Sequence, residues 1–267
     1  MKDQIKALIL DMDGVLWRDT EAIGNLPEIF NKINELGLKF TFATNNSTRD
    51  EQQYIAKLKS FGIEAKAEHI INSSIATAEI LKEKFPQGGN LFIIGEPGLI
   101  NTLERYGFSH SVNQPLCVVV GMDRQVTYDI MSKAALLIQK GIPFIGTNPD
   151  RSFPTPEGQT IGTGAILAAI EAATGITPTI CGKPYPQMMK LALSRMGTLP
   201  EETLAVGDRY ETDIVGGIRA GCQTALVLSG VTSAEQVSGL DPKPNYIFQD
   251  LSELVHFLEA NGKNTDL

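Results

Sequence analysis

The stretch Leu8–Trp17, LILDMDGVLW, carries an apolar run straight into two aspartates, Asp11 and Asp13, one residue apart. Like charges at that spacing repel, so the pair is costly unless a cation or a proton lies between them. The run before them is continuous rather than alternating. That pattern fits a strand covered on both faces, as in a parallel sheet with flanking helices.

Working outward, the same alternation of short apolar runs and helical patterns fills the chain. The strands expected are Lys6–Leu10, Lys39–Thr44, His69–Asn72, Leu91–Gly95, Cys117–Gly121, Pro143–Thr147, Thr179–Cys181, Thr203–Gly207, Thr224–Leu228 and Tyr246–Phe248. Helical patterns between them include Ala22–Leu36, Asp50–Phe61, Ala76–Phe85, Tyr128–Lys140, Ala165–Thr174, Pro186–Met196 and Leu251–Ala260. Gly37, Gly62, Gly107, Gly141, Gly175 and Gly197 each follow a helical pattern, where a left-handed C-cap is wanted. The class is α/β, with a parallel sheet covered by helices.

At 267 residues the chain has room for one large or two modest domains, and 42% hydrophobic residues suffice for a buried core. Its net charge of −8 argues against nucleic acid or an anionic membrane as a partner. The N-terminal apolar run ends in acids, unlike a signal peptide, and no apolar run approaches the roughly 20 residues of a membrane span. Cys117, Cys181 and Cys222 fit no zinc spacing and read as small buried residues in a reducing compartment, the cytoplasm being the simplest.

In parallel α/β sheets ligands bind beyond the C-terminal strand ends. Those ends carry Asp11 and Asp13, then Thr44, Asn45 and Asn46 in FATNNS, then Lys183 in CGKPYP opening a helix, then Asp208 and Asp213 in GDRYETD. Carboxylates in such a group suit Mg²⁺, a hard ion held by one or two acids, waters and substrate phosphate. A lysine, a hydroxyl and turn N–H groups suit phosphate oxygens. One aspartate can attack phosphorus while a neighbouring acid moves the proton. A cation at Lys183, at a helix start, opposes the helix dipole, which favours a functional reading of it. At Asp213 a plain helix cap competes with a functional role.

DxDG at Asp11–Gly14, Thr-Asn at 44–45, Gly-Lys-Pro at 182–184 and GDxxxTD at 207–213, in order, resemble the four motifs of the haloacid-dehalogenase-like hydrolase superfamily. DMDGVLW, TNN, TNPD and GKP together look like its NagD-like branch of sugar-phosphate, nucleotide and 4-nitrophenylphosphate phosphatases, nearly end to end. The resemblance implies a doubly wound core over 1–75 and 180–267, with an inserted α/β cap of the IIA type over 76–179. Geometry agrees: Thr44 and Lys183 must meet on one phosphate although more than a hundred residues separate them. The interval between has elements enough for a domain that can act as a lid.

The resemblance assigns Asp11 as nucleophile and metal ligand. Asp13 becomes the general acid/base, with its backbone carbonyl on Mg²⁺. Asp208 completes the ligands, and Asp213 holds a metal-bound water or Lys183. Thr44, the Asn45 N–H and Lys183 hold the phosphoryl group, with Asn46 in support. Asn148, Asp150 and Arg151 of TNPDR are expected to face the substrate, against the competing reading of a plain turn. Dehalogenase members lack a counterpart of Asp13, so its presence favours phosphate chemistry. The implied enzyme is a Mg²⁺-dependent phosphatase of small phosphorylated metabolites working through an aspartyl-phosphate; the cap surface offers a homodimer contact.

Competing readings are a phosphoacceptor signalling module and an inactive binding scaffold on the same fold. An EF-hand at Asp11 fails, because Val15, Leu16 and Ala22 would stand at its fifth, sixth and twelfth positions. GTGAIL, Gly162–Leu167, lacks the third glycine of a dinucleotide loop and reads as a helix start capped by Thr163. GEPG, Gly95–Gly98, reads as a tight turn, and Trp17 as an entrance residue or a packed aromatic. His69, His110 and His256 join no constellation.

Overall fold

The computed structural model describes residues 5–155 and 157–262. They form two compact units, one of 5–44, 54–71 and 184–262, the other of 45–53 and 72–183.

The first unit is built on a six-stranded sheet in the order Tyr246–Phe248, Gln223–Val227, Thr203–Gly207, Ala7–Leu10, Lys39–Thr44, Ile70–Asn72. Pairings from the first of these through Lys39–Thr44 are parallel. Ala7–Leu10 is central and at most 1% exposed, as its unbroken apolar run requires. Leu8 and Leu10 join Leu26, Ile29 and Ile33 of helix Leu26–Glu35 and Leu251 and Leu254 of helix Leu251–Gly262 in one core. Each such leucine contributes roughly 1.5–3 kcal/mol by leaving water. The chain leaves Ala7–Leu10 toward Lys39–Thr44 and returns on its other side at Thr203–Gly207. That reversal of strand order is a topological switch point, where α/β sheets open a crevice.

The second unit has a five-stranded sheet in the order Thr179–Ile180, Phe144–Gly146, Val118–Val120, Gly89–Ile94, Phe108–His110, with parallel pairings. The two-residue period of a strand sorts its side chains between two helix layers. Leu91 and Ile93 pack with Ala78, Leu81, Leu99 and Leu103, from helices Ser73–Lys84 and Pro97–Arg105. Phe92 and Ile94 pack on the opposite face with Ala134, Ile138, Ile166 and Ile170, from helices Tyr128–Gln139 and Thr163–Thr174.

The class expected from sequence is the one observed, and all six glycines named as helix stops have positive φ. Four local readings need correction. The first helix starts at Leu26 rather than Ala22, because Glu21–Ala22 pairs with Trp17–Arg18 as a hairpin and Pro27 is pre-set for a first turn. GEPG opens helix Pro97–Arg105, with Glu96 at its N-cap and proline again in the first turn. Gly162, not Thr163, occupies the N-cap of helix Thr163–Thr174, and no side chain caps it. The helix after Lys183 begins only at Gln187, so the dipole argument about that lysine does not apply.

Candidate active site

Within the first unit, Asp11 leaves the central strand with its N–H donating to the Val206 carbonyl at 2.9 Å, which extends the parallel ladder by one residue. Asp208 follows directly on Thr203–Gly207, the adjacent strand. Asp213 lies in the π-helical turn Tyr210–Ile214, a geometry common at functional sites. Carboxylate oxygens of Asp11, Asp208 and Asp213 lie within 4.8 Å of one another. Asp208 and Asp213 are buried and Asp11 half-buried.

Backbone amides hold two of these acids. Asp208 Oδ2 accepts from Val231 N–H at 2.7 Å, and its carbonyl accepts from Thr232 N–H at 3.0 Å. Asp213 Oδ2 accepts from Arg209 N–H at 3.0 Å, while the Asp213 N–H donates to the Arg209 carbonyl at 2.9 Å. This is the cap-like bond that competed with a functional reading, and it coexists with membership of the cluster. A Cβ at Gly14 or Gly230 would overlap the Asp208 carboxylate, so both glycines are needed where they stand.

Three carboxylates this close, part-buried, repel one another and favour a bound cation. An all-oxygen donor set fits a hard ion such as Mg²⁺ and not a thiophilic one. Asp13 is not in the cluster. Its exposed carboxylate accepts the indole N–H of Trp17, Nε1 to Oδ1 at 2.8 Å.

The second unit holds a different set. Asn45 Oδ1 accepts from Lys183 N–H at 2.8 Å, and Asn45 Nδ2 donates to the Lys183 carbonyl at 2.9 Å. The Asn45 carbonyl accepts from Ser73 Oγ at 2.6 Å and from Asn148 Nδ2 at 2.8 Å. Lys183 is 2% exposed, an unusual burial for a lysine and a stronger sign of function than its sequence position. Asn46 Oδ1 accepts from the Thr48 N–H and hydroxyl at 2.9 and 2.7 Å, forming an Asx turn. Asn148 Oδ1 accepts from Asp150 N–H at 3.2 Å, Asp150 Oδ1 lies 3.4 Å from Asn45 Nδ2, and Arg151 is exposed. Thr44, which belongs to the first unit, is buried at the end of its strand.

A family model described as haloacid dehalogenase-like hydrolase matches residues 8–109, and a HAD-hydrolase-like model matches 180–254. An acid sugar phosphatase of Staphylococcus aureus is 37% identical over 257 residues, covering 96% of this chain and 99% of that protein. The chain belongs to the haloacid-dehalogenase-like hydrolases. Among solved structures, a 4-nitrophenylphosphatase from Thermotoga maritima is similar with TM-score 0.90 and 35% identity, over 94% of this chain and 97% of that one. NagD from E. coli K-12 is similar with TM-score 0.86 and 34% identity, over 94% and 98%. The chain is therefore a haloacid-dehalogenase-like phosphatase of the NagD-like branch, with an inserted cap domain.

Two sets of contacts, one in each unit, are not legible in the motifs. The first is the brace after strand Gln223–Val227, where the Ser229 hydroxyl donates to the Gly14 carbonyl at 2.7 Å and Arg18 Nε donates to the Ser229 carbonyl at 2.8 Å. That strand end, LVLSG, reads as weakly polar, and Gly230 was its one signal. The second is the side chain of Asn45, whose backbone alone carried the expected role. Among the described residues no helix is long and apolar enough to cross a membrane.

Proposed function

We propose that this phosphatase hydrolyses small phosphorylated metabolites through an aspartyl-phosphate on Asp11, with Mg²⁺ as cofactor. Sugar phosphates are the first class to test, given the Staphylococcus aureus relative; nucleoside monophosphates and 4-nitrophenyl phosphate belong to the same reaction class. The clustering of the Asp11, Asp208 and Asp213 carboxylates at the sheet's switch point carries the reading.

On this reading an Asp11 oxygen attacks phosphorus as the P–O bond to the leaving group breaks, and Asp13 gives that leaving oxygen its proton. Water then attacks the aspartyl-phosphate, its proton passes to Asp13, and the Asp11–phosphorus bond breaks to release phosphate. Asp11, Asp208 and the Asp13 carbonyl would hold Mg²⁺, with Asp213 ordering a water of its shell. Bound there, the ion offsets the repulsion between phosphate and carboxylate. Thr44, the Asn45 N–H and Lys183 hold the transferring phosphoryl oxygens, and Asn46 shapes the loop that presents them.

Asp150 and Arg151 are assigned to substrate selection, Arg151 because its exposed guanidinium suits an anionic or polyhydroxyl group. Asn148 belongs with them by position, although its amide is spent on Asn45 and on the Thr147 and Thr163 hydroxyls at 3.2 and 3.3 Å. The core is assigned to 1–75 and 180–267 and the cap to 76–179. A cytoplasmic location fits three buried free thiols, and a net charge of −8 disfavours nucleic acid and membrane partners. A homodimer through the cap is a further element of the proposal.

Hydrolysis of 4-nitrophenyl phosphate with Mg²⁺ tests the reading. Activity that survives EDTA, or that is undiminished in Asp11→Asn, overturns it.

A further inference from the structure

The Trp17 indole is fully buried, and its single N–H is spent on the carboxylate assigned as general acid/base. The ring is held by two neighbours. Phe61 stacks on it at 5.3 Å between centroids, 16° from parallel, and Lys57 Nζ lies 4.1 Å from its centre. Lys57 is itself tethered, donating to the Asp19 carbonyl at 3.2 Å. The backbone closes the same loop: Gly14 N–H donates to the Trp17 carbonyl at 2.8 Å, and Leu16 N–H to that of Met12 at 2.8 Å. Asp13 is exposed, and an exposed carboxylate would ordinarily turn freely about its side-chain bonds. Here an immobile donor fixes one of its oxygens.

We propose that Trp17 is a positioning residue for the proton-transfer step, acting through Asp13. Because Oδ1 is occupied as an acceptor, Oδ2 is the oxygen that carries the proton to the leaving group and later takes one from water. Holding a catalytic group in a single geometry is worth rate in proportion to the rotamers it removes. The inference rests on the proposed role of Asp13 and adds to it the residue that aims it.

The readout is leaving-group dependence. 4-Nitrophenolate departs readily without a proton, whereas an alkoxide needs one, so a misplaced acid harms alkyl phosphates selectively. In Trp17→Phe, which keeps an aromatic ring against Phe61 but no donor, kcat/KM for glycerol phosphate should fall about 10-fold more than for 4-nitrophenyl phosphate. Asp13→Asn should show the same split, and a larger one. An equal loss on both substrates in Trp17→Phe, beside a split in Asp13→Asn, overturns the role of Trp17 alone. The absence of a split in Asp13→Asn overturns the reading of Asp13 itself. Should Trp17→Phe not fold, benzothienylalanine at position 17 keeps the bicyclic shape with sulfur in place of N–H; the same split is expected, and equal losses again overturn the proposal.

Discussion

Asn45 reads both backbone groups of Lys183: its Oδ1 accepts the lysine N–H at 2.8 Å and its Nδ2 donates to the lysine carbonyl at 2.9 Å. The amide thereby does what a neighbouring strand would do, locking the backbone of a buried lysine with complementary donor and acceptor edges. Gly182 is part of the arrangement, since a Cβ there would crowd both Asn45 Oδ1 and the Thr147 carbonyl.

Asn45→Asp therefore places a carboxylate oxygen against the Lys183 carbonyl, where an N–H₂ now donates. The lost bond and the new repulsion each cost about 1–3 kcal/mol when buried, so kcat/KM should fall by at least roughly 30-fold, with a lower Tm. Steady-state kinetics and a thermal melt check this. Unchanged kinetics would remove Asn45 from the positioning of Lys183.

Ser47 lies two residues further on. Its hydroxyl is buried and makes no hydrogen bond among the described residues. An unsatisfied buried hydroxyl is a liability, so Ser47→Ala should leave stability unchanged or raise it by up to about 1 kcal/mol in urea unfolding. A clear destabilisation would contradict this account of Ser47.

Cys222 supplies a pH dependence with a definite sign. Burial pushes its thiol up from 9.0 to about 12, and burial likewise drives Cys117 to about 12 and Cys181 to about 11. A folded-state value above the unfolded one gives stability that is complete below about pH 9, where both states hold the proton. That stability drains away between about pH 9 and about pH 12, as unfolded chains ionise and folded ones resist. Unfolding midpoints from about pH 8 to about pH 10.5 should fall less steeply in Cys222→Ala than in the parent. Equal slopes would show that the thiol does not stay protonated through burial.

Much of the fold and of the candidate site is legible in the sequence. Asp11, Asp208 and Asp213 each sit in short local motifs, and a strand ending in a carboxylate is visible as an apolar run meeting an acid. The α/β class is legible in unbroken runs such as Leu8–Leu10, which fit burial on both faces, and the doubly wound arrangement comes from the resemblance of the four motifs. What escaped depends on residues far apart in the chain. Ser229 reaches Gly14, and Arg18 reaches Ser229, through sheet register that no local pattern encodes. GEPG is a helix entry rather than a bare turn for a different reason: glycine and proline mark a chain reversal and a helix entry alike, and the next turn's packing decides between them.

The central claim is that Asp11 carries the phosphoryl group. Acid quench of the Mg²⁺-loaded enzyme with radiolabelled phosphate substrate, followed by peptide mapping, tests it most directly. The account predicts hydroxylamine-labile label on the peptide bearing Asp11, and neither label nor turnover in Asp11→Asn. Label on another residue, or turnover retained by Asp11→Asn, would contradict it.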